Sequence, residues 1–354
     1  MLNISSAKIE KIIIHQVGNG GREEACTFSE TSIVPSESLE SLLLEHYLLP
    51  LTKLEDTFEF NLDEVIQESD SDDSAENASS VNVIAALSTK IFAEEESFQA
   101  ISVQIAQHLY SVTNHPNISG GDFIIIHFSN IYDNAENSEA LGIFKVESKD
   151  DYLDIFDNNG TLEFVEKEGI SLKDIQKGAL VLAHDASVLA IDSHKKRTKY
   201  WHDDFLNLQP KQTELAELKA SSDLLRGLSK RIEKPNQRLE FNKSLEAHLD
   251  EHEEIRFRDL ENYSRSYMEE QDINRVFNAV QNKSGFEIDR NISVSSQEFR
   301  EQSAGIMKKM RVAKGIDLMI SNPDAYLNGI TIEETETGFR AVIDFDVYES
   351  EDEE

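Results

Sequence analysis

An α+β fold is predicted: an N-terminal antiparallel sheet with covering helices, followed by a mainly helical C-terminal region with a β-hairpin. Three observations carry that prediction. Between residues 122 and 192, short β-branched and aromatic runs alternate with turn signals such as Asp157-Asn-Asn-Gly160, the pattern of hairpin-connected strands. Ahead of them, Phe98, Ile101, Ile105, Leu109 and Val112 recur at helical spacing. From Thr198 onward the helical period takes over. The change of period divides the chain into an α+β sheet domain, 1–194, and a mainly helical domain, 195–354.

Taken in order, Ala7–Val17 alternates and then runs apolar as a largely buried strand does, and Gly18-Asn-Gly-Gly21 turns the chain. No Gly-Lys-Ser/Thr follows those glycines, so they do not form a phosphate-cradling loop. Ser36 caps a helix predicted over Glu37–Leu49, with Pro50 as its stop. Residues 68–80 are acidic, serine-rich and of low complexity, and read as a solvated loop; the glycine and distal Glu of a calcium loop are missing. Helices are expected at Val81–Ala93 and Ser97–Thr113. Strands follow at Asp122–Ile131, Ala140–Glu147, Tyr152–Phe156, Thr161–Glu166, Ala179–His184 and Ser187–Asp192, with the preceding helices covering one face of their sheet. Beyond them Trp201, Phe205 and Leu208 share a helical face, which buries Trp201. Helices are predicted at Lys211–Glu233, Leu239–Glu254, Phe257–Asn282 and Ser296–Ser321. A hairpin at Asn328–Val347 and an acidic tail close the chain.

The formal net charge is −34, but it is uneven. Residues 1–150 carry 7 Lys and Arg against 26 Asp and Glu, whereas residues 195–238 carry 11 against 6. Four cations, Lys195, Lys196, Arg197 and Lys199, fall within five residues beside the single Trp. Such a cluster can meet phosphates; equally, it can solubilise a strand end or cap a helix. The screening length at physiological salt is about 8 Å, so a local basic face can hold a polyanion in a repulsive far field. A second run, Lys308, Lys309, Arg311 and Lys314, lies on a predicted helix. It reads either as a second phosphate-tracking face or as cations near a helix C-terminus whose stems shield Met307 and Met310.

Other chemistry finds little support. One cysteine, Cys26, excludes an internal disulfide and a cysteine-based zinc cluster. His248 and His252 are four apart, but Leu249 stands where a zincin has Glu, so no metal or other cofactor is predicted. No nucleophile elbow is present, and a non-enzymatic protein is expected. No apolar run nears the roughly 20 residues that span a bilayer, and no secretory signal is read at the N-terminus. A cytoplasmic location is expected, and the long amphipathic C-terminal helices suggest a homodimer.

Three segments in order carry a resemblance: Ile105-Ala-Gln-His-Leu-Tyr-Ser-Val-Thr-Asn-His-Pro-Asn-Ile-Ser-Gly-Gly-Asp-Phe-Ile-Ile-Ile-His-Phe128, Ala140-Leu-Gly-Ile-Phe-Lys-Val-Glu147 and Lys199-Tyr-Trp-His-Asp-Asp-Phe-Leu206. They resemble the bacterial nucleoid-associated proteins typified by NdpA, in particular a Bacteroidetes-type branch, and the first strand and late hairpin fit the same layout. The resemblance implies a non-enzymatic protein of the nucleoid that associates with double-stranded DNA, directly or through a DNA-bound partner protein. The acidity of the first domain and the insertion at residues 70–80 depart from what a DNA binder shows. They keep open a rival reading, an acidic interaction module or nucleic-acid mimic that docks on a basic partner.

Overall fold

The computed structural model of the protein describes residues 2–62, 82–133, 136–192, 197–313, 316–319, 325–336 and 338–347. The predicted acidic loop at 68–80 and the acidic tail lie outside them. The chain divides into two compact units, Met1–Lys211 and Gln212–Glu354.

The first unit is built on seven strands: β1 (Lys8–Val17), β2 (Phe58–Phe60), β3 (Gly121–Asp133), β4 (Glu136–Val146), β7 (Lys177–Leu182), β8 (Val188–Asp192) and β9 (Leu208–Pro210). They run β1-β3-β4-β7-β8-β2-β9, and every pairing is antiparallel. The register aligns the core. One row crosses the sheet as Ile13, Ile125, Ile143, Ala179 and Ala190, and the next, on the opposite face, as Ile12, Ile126, Gly142, Leu180 and Leu189.

Both faces of this sheet are covered, where the sequence predicts one. Helices α3 (Val83–Ala93) and α4 (Phe98–Val112) pack Ile84, Leu87, Ile105 and Leu109 on the first row. On the other face lies a continuous helical run made of α1 (Glu37–Leu43), a wider π-turn at Leu44–Leu48 and α2 (Leu49–Thr52), which buries Leu43, Tyr47, Leu48 and Leu51. Two covered faces explain why Phe123-Ile-Ile-Ile-His-Phe128 is apolar without alternation. They also explain Gly142: a Cβ there would come within 2.6 Å of the Phe144 ring and 2.7 Å of the Phe128 ring. Pro50 does not stop the first helix. It sits inside the run just past the π-turn, whose wider spacing accommodates a residue with no N–H to give.

A separate hairpin, β5 (Asp150–Asn158) with β6 (Thr161–Gly169), pairs with no other strand among the described residues. Asn159 and Gly160, both at positive φ, make its turn. Residues Asp150–Glu168 are all exposed, apolar ones included.

The second unit packs α5 (Glu214–Arg231), α6 (Pro235–Glu251), α7 (Phe257–Ser264), α8 (Glu270–Ser284) and α9 (Ser296–Met307) round Leu224, Phe241, Phe257, Ile273 and Phe299. Thr213 and Ser295 cap α5 and α9, accepting from the N–H of Ala216 and Glu298, and Pro235 opens α6. The helix predicted over Phe257–Asn282 is broken. The N–H groups of Tyr267 and Met268 turn back onto the Ser264 carbonyl at 2.9 and 3.1 Å before Glu269 restarts α8 from an extended conformation. Two short strands, β10 (Glu254–Arg256) and β11 (Ser293–Ser295), pair beside the helices.

A larger departure follows α9. The helix predicted to reach Ser321 ends at Met307, and β12 (Lys309–Ala313) then pairs antiparallel with β13 (Ile316–Met319). Lys, Met, Arg and Ala are good helix formers, which is why the stretch reads as helix. Pairing with Ile316–Met319 outweighs that weak preference. The late hairpin is present as β14 (Ala325–Thr335) and β15 (Gly338–Val347). It rests on α6, where Leu327 and Ile330 bury against Leu239 and Asn236 Oδ1 accepts from the Ile330 N–H at 2.9 Å.

Candidate nucleic-acid interface

The first basic segment emerges where β8 ends, and the anchor there is Asp192. This buried carboxylate accepts from the Lys177 ammonium with one oxygen. Its other oxygen accepts from the Thr198 N–H at 2.8 Å and the Thr198 hydroxyl at 2.5 Å. From Tyr200 to Phe205 the backbone forms a second π-turn, closed by the Leu206 N–H donating to the Trp201 carbonyl at 3.1 Å. Its apolar side fills the first core. Trp201 is fully buried, its ring 5.0 Å from that of Phe205.

Beneath the turn lies an ionic cluster. The Tyr200 hydroxyl donates to Glu147. Lys145, wholly buried, donates to the Ser119 carbonyl at 2.7 Å and to Glu147 at 3.2 Å. The ammonium groups of Lys145 and Lys177 stand 5.0 and 5.4 Å from the centre of the Tyr200 ring, close enough for cation–π attraction. Burial, with Glu147 beside it, holds the Tyr200 hydroxyl far above its ordinary pKa. Burial draws the Lys145 ammonium down, and Glu147 opposes that. Neither lysine is open to solvent, so neither meets a phosphate: both are positioning residues that fix the start of the basic segment. Sequence reasoning misses them, because a lone Lys within a strand looks like one more solvated side chain. The carboxylate two residues after Lys145 is the only nearby signal.

On this base the structure places two of the four predicted cations. Arg197 is half-exposed, its guanidinium 4.6 Å above the Phe58 ring and 3.6 Å from Asp56. Lys199 is 81 % exposed, its ammonium 3.8 Å from Asp204. Exposed pairs of this length contribute about 0–1 kcal/mol, so a phosphate can compete with either carboxylate. Lys195 and Lys196 lie outside the described residues.

The second run lies in the other unit, and it is not helical. Lys308 is the exposed residue that ends α9. Lys309 pairs with Asp317 at 3.0 Å, and Arg311 stands opposite Asp317 in the β12–β13 register. Lys314 lies outside the described residues. With a strand period of two, the helical grouping of Lys308, Arg311 and Lys314 no longer applies. His248 and His252 stack at 4.2 Å, and the His248 ring also meets the Tyr263 hydroxyl at 3.1 Å. Among the described residues no group of three or more His, Cys, Asp or Glu is placed to hold a metal ion.

Three histidines of the first unit are held neutral by burial: His15, His108 and His202, the last also by Arg197. His15 shows why geometrically. Its Nδ1 accepts from the Ser29 N–H at 3.1 Å, so protonation there would break that bond. With folded pKa values below the unfolded 6.5, these groups contribute stability that is complete above pH 6.5 and is lost as pH falls through the folded values. Glu246, in the second unit, is raised by burial and has the opposite sign: its stability is complete below 4.5 and is lost as pH rises through its folded value. The first unit is therefore expected to weaken first on acidification. Urea midpoints from Trp201 fluorescence should fall between pH 7 and pH 5, and a flat profile would contradict the assignment.

A family model described as nucleoid-associated protein YejK matches residues 13–331. The chain belongs to that family. No curated protein matches the chain individually. The matched span takes in the seven-stranded sheet from Ile13 of β1, the Tyr200–Phe205 turn and the helices of the second unit, and family membership brings a nucleoid-associated role with it. Among the described residues no helix is long and apolar enough to cross a membrane.

Proposed function

We propose that the chain works at the nucleoid without catalysing a reaction. It contacts the backbone of double-stranded DNA independently of sequence, directly or beside a DNA-bound partner. Lys195, Lys196, Arg197 and Lys199 form the primary contact, helped by Lys308, Lys309, Arg311 and Lys314, and a homodimer would double both sets. The single observation that carries this reading is the family match over residues 13–331. The exposure of Lys199 on a turn anchored by Asp192 adds to it. In so acidic a chain the contact is electrostatic and local, so it should be steeply salt-dependent. Anisotropy of a labelled duplex across a salt series is expected to give a log–log slope of about −4 to −5. Replacing Lys195, Lys196, Arg197 and Lys199 together by Ala should make the slope shallower by about 0.9 for each phosphate no longer neutralised. An unchanged slope and affinity would remove the site.

A second reading, docking on a basic protein, has one observation in its favour. The β5–β6 hairpin exposes Leu153, Ile155, Phe156, Leu162 and Phe164 among seven carboxylates and one lysine. Failure of the wild-type chain to shift the duplex even at low salt would favour it.

A further inference from the structure

A cavity of about 780 Å³ opens within the second unit, between the C-terminal half of α5, the start of α6, α9 and the β12–β13 hairpin. That volume is in the range of sites for small organic ligands, about 300–1,000 Å³. Its charge runs against the rest of the unit. Residues 212–354 carry 19 Lys and Arg against 31 Asp and Glu, yet Arg226, Lys230, Arg238 and Lys309 line the cavity against only Glu233 and Asp317. Between the charges the wall is apolar, supplied by Ile232, Pro235 and Ile306.

The cations are positioned rather than scattered. Arg226 and Lys230 stand one turn apart on α5, and Arg226 is steadied by Asp223 at 2.9 Å. The Arg238 guanidinium donates through Nε to the Ser229 carbonyl at 2.8 Å and through Nη2 to the same oxygen, which fixes its plane. Lys309 pairs with Asp317 at 3.0 Å. Lys230 makes no ion pair among the described residues.

One further observation points to an occupant. Gly305 sits inside α9, where glycine is about 1 kcal/mol worse than alanine. Packing does not require it, because a Cβ there would meet nothing within 4 Å. What the glycine does is leave the α9 wall of the cavity flat.

We propose that this cavity binds a phosphorylated small molecule with a planar apolar body, the chemistry of a nucleotide. The phosphates lie against Lys230 and Arg226, with Arg238 and Lys309 beside them. The ring system lies between Ile232 and Ile306, over Gly305. The site is separate from the proposed DNA contact except for Lys309, so the variants chosen leave all eight DNA-contact residues in place.

The experiment is calorimetric titration of the full chain with ATP, AMP and inorganic phosphate, followed by ATP titration of Lys230→Ala and Gly305→Leu. ATP or AMP should bind saturably at concentrations below about 1 mM, more tightly than inorganic phosphate. Lys230→Ala should weaken ATP about tenfold, as the removal of one charged hydrogen bond does. Gly305→Leu should abolish binding while the thermal midpoint of the free protein does not fall, since the new side chain enters open space and leucine favours the helix more than glycine does. Circular dichroism verifies that both variants are folded. The proposal is overturned if ATP and AMP do not bind the wild-type chain, if inorganic phosphate binds as tightly as they do, or if both folded variants bind ATP normally. It is also overturned if a short duplex displaces ATP from the wild-type chain and loses its own binding in Gly305→Leu, because the groove would then be a DNA-backbone site.

Discussion

Replacing Asp192 by alanine is expected to remove about 3–5 kcal/mol of stability from the sheet unit, the usual consequence of stranding one member of a buried ion pair. Lys177 is 2 % exposed and would be left without a direct counter-ion, because the nearby Glu147 already serves Lys145 and Tyr200. The N–H and hydroxyl of Thr198 would lose their acceptor in the same step. The chain has a single Trp, and it lies in this core, so urea unfolding followed by Trp201 fluorescence reads this unit alone. A loss below about 1 kcal/mol, the level of an exposed pair, would show that the pair is not buried as described. The double variant Lys177→Met with Asp192→Leu is the control. With both charges gone, most of the loss should return.

Trp201→Ala should be of similar size, about 3–5 kcal/mol, because it empties a fully buried site among Phe205, Phe123 and the sheet. Trp201→Phe should be milder than ring size alone implies. The Trp201 indole N–H is buried with no hydrogen-bond partner among the described residues, so removing it relieves an unmet donor. The fluorophore is lost in both variants, and circular dichroism against urea replaces it. Equal losses for Ala and Phe would contradict the packing. Function should follow: Trp201 and Asp192 fix the turn that carries Arg197 and Lys199, so Trp201→Ala should weaken duplex binding without removing any cation.

Much of this architecture is legible in the sequence wherever one burial pattern covers a whole element. The run Phe123–Phe128 announces a central strand, and Phe98, Ile101, Ile105 and Leu109 announce α4. Burial of Trp201 follows from its spacing to Phe205. What is not legible depends on partners distant in the chain. Residues 309–313 have helical composition and become a strand only because Ile316–Met319 pairs with them. Lys145 is matched by Tyr200, 55 positions away. Likewise, nothing in the sequence joins Lys309 to Arg226, Lys230 and Arg238, which the fold sets round one cavity.

The β5–β6 hairpin gives this molecule a response to ionic strength of its own. Its exposed apolar side chains, Phe164 among them at 74 %, are edged by seven carboxylates, which repel those of any neighbouring ribbon. Counter-ions mute that repulsion over distances beyond about 8 Å at physiological salt, while leaving the apolar attraction between ribbons intact. Rising salt therefore weakens the force that keeps neighbouring ribbons apart, and self-association through β5–β6 should increase with ionic strength.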